Sequence, residues 1–159
     1  MIEDVVVDTN VFVHSDNPGV DEFESSLRFM NRLLESLVAL CIDDGFNVDE
    51  SKNRSLIGNE YFKHIKGTLA KSVLAHLAQN QRIKVVGKSV EHSQRKLILQ
   101  SVSNKRDRNF LFVALNSSSK HLVSHDFRDF NKSKRKFINK KVGVIFATAS
   151  ECCVLFQDY

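Results

Sequence analysis

The chain has 159 residues, a mass of 18.1 kDa and a net charge of +4, from 23 Lys and Arg against 19 Asp and Glu. With 42% apolar and 26% charged residues, it falls outside the disordered and low-complexity classes. One Pro and six Gly leave no linker, so residues 1–159 are expected to form a single domain. No apolar run approaches the roughly 20 residues of a membrane helix. The acidic start Met1-Ile2-Glu3-Asp4 lacks the apolar stretch of a signal peptide, so the mature chain is expected to begin at or near Met1. The three cysteines, Cys41, Cys152 and Cys153, have no CxxC spacing. They argue against a disulfide framework or a thiolate zinc site and for a cytoplasmic location. The six histidines form no zinc-type pair with a nearby third ligand.

Val5-Val6-Val7 is a β-branched run that predicts a buried strand, ending at Asp8-Thr9-Asn10. Asp16-Asn17-Pro18-Gly19 is a turn signal. Apolar residues at three- and four-residue steps from Phe23 to Val38 predict an amphipathic helix over about 21–40. Cys41-Ile42 begins a short strand, and residues 47–55 read as a polar loop. Ile57, Tyr61, Ile65, Leu69, Val73 and Leu77, four apart, predict one helix over about 57–78, with Gly67 inside it at a cost of about 1 kcal/mol. A short strand at 83–86, a helix over about 90–102 and another over 107–116 follow. His121–Ser124 is a strand with Asp126 just beyond it. Residues 132–141 carry six basic side chains and read as a solvated loop or a phosphate-contacting edge. A strand at 142–146 and a helix at 149–156 close the chain. Strands alternating with helices predict an α/β fold with a mostly parallel sheet.

Ligands of open parallel sheets sit beyond the carboxyl ends of the strands. Asp8 and Asp126 are expected there, Asp107 at the start of a helix, and Glu60 on another helical segment. Four carboxylates brought together repel one another unless a cation joins them. Mg²⁺ and Mn²⁺ are hard ions that favour oxygen ligands, and such an ion activates a bound water against a phosphate. The opening Val5-Val6-Val7-Asp8-Thr9-Asn10-Val11-Phe12 resembles the first strand of a PIN-domain nuclease. Asn59-Glu60-Tyr61, Lys105-Arg106-Asp107-Arg108 with Ala114, and Leu122-Val123-Ser124-His125-Asp126-Phe127-Arg128-Asp129-Phe130 resemble that family's later acid segments, in order along nearly the whole chain.

The resemblance implies a three-layer α/β/α domain and a metal-dependent endoribonuclease. Asp8, Glu60, Asp107 and Asp126 would be the ligands of Mg²⁺ or Mn²⁺, with Asp129 supplementary through water. Asn10 would orient Asp8 or a water, and Ser124 would stand where relatives carry a hydroxyl. Lys105, Arg106 and Arg108, which flank Asp107, would contact the RNA backbone. Asp43 or Asp44 stands as an alternative or companion to Glu60. The resemblance further implies a toxin or defence nuclease, an inhibitory antitoxin partner and a homodimer. The rival readings are an inactive RNA- or protein-binding module, an RNA-processing enzyme and a DNA-acting enzyme. Phe127 and Phe130 are expected in the core rather than stacked on bases.

Overall fold

The computed structural model describes residues 2–156; Met1 and residues 157–159 of the expected single domain lie outside the described residues. In chain order the elements are β1 (Asp4–Val7), α1 (Thr9–His14), α2 (Phe23–Glu35), β2 (Ala39–Asp43), α3 (Leu56–His64), α4 (Thr68–Gln79), β3 (Ile83–Val86), α5 (His92–Ser101), α6 (Lys105–Asn116), β4 (His121–Val123), α7 (Lys132–Val142), β5 (Ile145–Ala147) and α8 (Ala149–Cys153). One 3-10 turn (Glu50–Lys52) lies between β2 and α3. The strands form a single parallel sheet in the order β3-β2-β1-β4-β5. Among the described residues no helix is long and apolar enough to cross a membrane.

β1 is central and buried on both faces, which explains its uninterrupted Val5-Val6-Val7 run. Val5 pairs with Leu40 of β2, and Val7 with Val123 of β4. The chain steps from β1 outward to β2 and β3, then jumps back to β4 and on to β5. Because crossovers between parallel strands share one hand, this reversal puts connecting helices on both faces. α2 packs against α4 and α8, while α6 packs against β1, β2 and β4. The result is the three-layer α/β/α sandwich expected. The reversal also opens a crevice between the carboxyl ends of β1 and β4.

The strand expected over 142–146 is Ile145–Ala147, with Val142 closing α7, and the helix expected over 149–156 stops at Cys153. Three other predicted elements depart further. The helix expected over 21–40 stops at Glu35, where Ser36 turns extended (ψ 176°), and Ala39–Asp43 is strand. Leu37, counted in the helical stripe, is exposed in the connection. The helix expected over 57–78 is two helices, α3 and α4, and Gly67 is the N-cap of the second rather than an interior residue. The side chain of Asp16 takes the place of a local cap, accepting from Leu69 N (3.1 Å) and Ala70 N (2.9 Å). A Cβ at Gly67 would lie 2.1 Å from the Asp16 carboxyl, so the approach requires glycine. The basic run at 132–141 is helix α7, not loop. Asn131 caps its start through Lys134 N (2.9 Å), Gly143 ends it in the left-handed region (φ 78°), and Ile138 and Val142 anchor its inner face.

Candidate metal centre

The crevice at the β1–β4 switch point holds the carboxylates. Asp8 follows β1 directly at the N-cap of α1, yet its side chain makes no capping hydrogen bond. It points instead toward β4, where Ser124 Oγ donates to it at 2.8 Å. The backbone fixes this posture, since Asp8 N donates to Val123 O (2.8 Å) and Ser124 N to Ala147 O (3.0 Å). Asp126 lies three residues past the end of β4 rather than at it. Its N–H donates to Ser124 Oγ (3.1 Å), and its carboxylate accepts from Arg128 N (3.2 Å) and Asp129 N (2.9 Å). Ser124 thus ties two acids together. Asp107 sits in the first turn of α6, whose N-cap is Asn104 (2.9 Å to Arg106 N).

Oxygens of Asp107, Asp126 and Asp129 all lie within 4.8 Å of one another. Asp8, Glu60, Asp107, Asp126 and Asn10 line one cleft of about 320 Å³, together with Thr9, His64, Asn104 and Arg106. At roughly 30 Å³ per water molecule, that is room for a hydrated cation and a phosphate group. Burial pushes the Asp107 carboxyl up to about 7, with further upward pressure from Asp8, Asp126 and Asp129. Burial likewise raises Asp8 to about 6 against the opposing Ser124 hydrogen bond, and Asp126 adds to the rise. Two buried polar atoms at the cleft have no protein partner: Asp107 Oδ2 and Thr9 Oγ1. Convergent oxygens, raised pKa values and an orphaned carboxylate oxygen fit a hard divalent cation.

The other expected residues are placed as follows. Glu60 reaches the cleft from α3 but is paired with His64 Nε2 (3.4 Å) and Arg106 Nη1 (3.5 Å). Asn10 Oδ1 accepts from His125 N (3.4 Å), bracing the β4 loop against α1. Of the three cations flanking Asp107, only Arg106 lines the cleft. Arg108, expected at the substrate, turns away and binds Val102 O (2.5 Å) and Leu99 O (3.2 Å) at the end of α5. Lys105 is exposed on the first turn of α6 and is not among the lining residues.

Asp43, offered as an alternative acid, is committed elsewhere. It accepts from Ser55 Oγ, Leu56 N (2.9 Å) and Ile57 N (3.0 Å), and it pairs with Lys88 (3.3 Å). It therefore caps α3, which carries Glu60. Asp44 is exposed and is not among the cleft-lining residues.

Sequence reasoning did not single out Thr9, His64, Asn104 or Arg135 for the site. His64 had a signal, at i+4 from Glu60 on one helix. Arg135 had a signal only as part of the basic run 132–141; its guanidinium turns to the carbonyls of Ser124, Asp126 and Phe130 in the segment between β4 and α7. A second depression, of about 310 Å³, lies among Phe46, Phe62, Ile65 and Leu74 and is mainly apolar, with no convergent acids.

Against models of known protein families the chain finds no match, and among curated proteins none matches it either.

Proposed function

We propose that the chain is a metal-dependent endoribonuclease of PIN type that hydrolyses RNA phosphodiester bonds. The observation that carries this reading is the gathering of two buried acids, Asp8 and Asp107, with the half-buried Asp126 and Asp129 at the β1–β4 switch point, without a neutralising side chain on Asp107 Oδ2. Asp8, Asp107 and Asp126 would hold Mg²⁺ or Mn²⁺, with Asp129 beside them and Glu60 at the rim. Such an ion would supply charge neutralisation for the phosphate under attack and lower the pKa of a bound water.

The chain's own residues supply the rest. Ser124 fixes the Asp8 and Asp126 carboxylates relative to each other, so the acids are ordered before substrate arrives. Asn10 holds the His125 backbone and keeps α1 and the β4 loop in register. Arg106, held at the cleft by Glu60, places a positive charge where a substrate phosphate enters. With a water as nucleophile, no protein nucleophile is needed. The three cysteines fit this assignment, being buried, free and raised by burial, with Cys41 and Cys152 pushed up to about 12.

On the resemblance alone, the reading extends to a cytoplasmic toxin or defence nuclease, restrained by an antitoxin protein and acting as a homodimer. The test is cleavage of mixed single-stranded and structured RNA by wild type and Asp8→Asn, with Mn²⁺, Mg²⁺ or EDTA. Metal-dependent cleavage that Asp8→Asn loses supports the assignment. A folded wild type that cleaves no RNA or DNA with either metal contradicts it and favours a binding module.

A further inference from the structure

Beside the acidic cleft stands a side chain that the sequence assigned to the core. Phe127 follows Asp126 directly and is 51% exposed, whereas Phe130 is 1% exposed and packs on Phe146 at 4.9 Å. Single exposed apolar side chains are common and by themselves indicate nothing. This ring differs because it is held. The Arg135 guanidinium carbon lies 4.7 Å from its centroid. That guanidinium is itself fixed: Nε donates to Phe130 O (2.6 Å), and Nη2 donates to Ser124 O (3.1 Å) and Asp126 O (3.4 Å). It also lies over the Phe146 ring at 5.3 Å. The His125 ring flanks Phe127 nearly in parallel, at 6.5 Å and 18°. Arg135 therefore does two jobs at once, supporting the ring and bracing the loop that presents Asp126.

Cations lie beside the ring and its support in the chain, Arg128 next to Phe127 and Lys132 and Lys136 on α7 with Arg135. Arg128, Lys132 and Lys136 form no ion pair among the described residues, and all three are exposed. An acidic protein surface would satisfy the ring and these cations but would be repelled by the neighbouring carboxylates. A polymer of alternating phosphates and flat bases satisfies the ring, the cations and, with a divalent ion, the carboxylates as well.

We propose that Phe127, seated on Arg135, is a stacking platform for one unpaired nucleobase of a strand whose phosphate lies in the carboxylate cleft. The inference rests on the nuclease reading for the identity of the strand. Phe127 sets where along the strand the cleft acts, because a base stacked there fixes the register of the next phosphate.

The test is a double-mutant cycle on the full chain in an Asp8→Asn background, which keeps the strand intact. The probes are ten-nucleotide RNA and DNA of one sequence carrying 2-aminopurine, plus versions with a single abasic position walked along the strand. Binding should quench 2-aminopurine at one or two adjacent positions. Phe127→Leu should weaken binding about tenfold, Phe127→Trp should restore it, and an abasic nucleotide at the quenched position should cost wild-type Phe127 the same factor. The two changes together should cost no more than either alone. Coupling on either polymer supports the platform.

Additive losses, quenching that survives in Phe127→Leu, or no binding of either polymer would overturn it. The abasic arm needs no change in the protein, so the outcome does not hang on a variant's folding. A wild type that never cleaves yet shows the coupling would remove the hydrolytic reading and leave the platform. One that cleaves without coupling would do the reverse.

Discussion

Asp4 and Asp8 stand four residues apart, at opposite ends of one buried strand, and their environments are opposites. Asp4 is 1% exposed and fully satisfied. Lys84 Nζ lies at 2.6 Å, and Ser118 N and Ser119 N donate at 3.0 and 2.8 Å. Burial alone would raise its carboxyl, but the lysine and the amides more than offset this and hold it at about 2. Asp8 is 8% exposed, has the Ser124 hydroxyl as its side-chain donor and no cationic partner among the described residues, and burial pushes it up to about 6 against that hydrogen bond and the Asn10 and Thr9 amides. Asp43, at the end of the neighbouring β2, sides with Asp4, with Lys88 and the start of α3 around it. Strand-end acids here serve either the fold, when the protein supplies the counter-charge, or the cleft, when it does not. The donor inventory of each carboxylate tells the two apart.

The largest effect that separates these two classes is on chemistry. Asp8→Asn should lower metal-dependent cleavage by about a hundredfold or more while circular dichroism is unchanged, and Ser124→Ala should cost about tenfold, since the acids it orients stay present. Asp4→Asn should do the reverse. It removes the charge partner of Lys84 and turns an NH2 group on one of two buried amide donors, so denaturant titration should show a loss of about 2 kcal/mol, with cleavage per folded molecule unaltered.

A smaller effect runs in the opposite direction. Asp107 in the folded state, raised to about 7, binds its proton more tightly than in the unfolded chain. The stability this adds is fully present below about pH 4 and is lost as pH rises through about 7. Without divalent ion, Asp107→Asn should therefore be more stable than wild type at pH 8, by about 1–2 kcal/mol, and no more stable at pH 4. His125, lowered to about 4 by burial beside His14, has the opposite sign, and it cancels in the difference between the two proteins. Asp4 loses its contribution only as pH falls from about 4 toward 2. The smallest expected effect is electrostatic. Lys132→Ala should flatten the slope of log affinity for RNA against log salt by about 1, without a change in sequence preference.

The layered fold was legible because each strand is a short apolar run and each helix a periodic one. What escaped was decided by distant residues. The Ile57-to-Leu77 spacing continues unbroken across two helices, and only Asp16, about fifty residues earlier in the chain, shows where the second begins. The α7 helix had local signals in Asn131 and Gly143, but its lysines concealed them, since just two of its residues, Ile138 and Val142, reach the core.

In the site, the ordered acids Asp8, Glu60, Asp107 and Asp126 are found lining one cleft. Their ranking was hidden, because Asp43 and Asp8 look alike until their donors are known. Arg108 sits in the same charged run as Arg106 but serves α5. Phe127 and Phe130 look alike in sequence, and the turn that follows Asp126 sends only one of them outward.

Whether the protein's own residues leave Asp8 and Asp107 without a positive partner is tested most directly by calorimetric titration with Mn²⁺. Wild type, Asp4→Asn and Asp107→Asn would be titrated at pH 6 and pH 8 in buffers of different ionisation heat. Saturable binding is expected from wild type and from Asp4→Asn, tighter at pH 8, with protons released at pH 6 as Asp8 and Asp107 give them up, and binding by Asp107→Asn should be at least about tenfold weaker. Binding that is absent in wild type, or present and unchanged in Asp107→Asn with no proton release, would contradict this expectation.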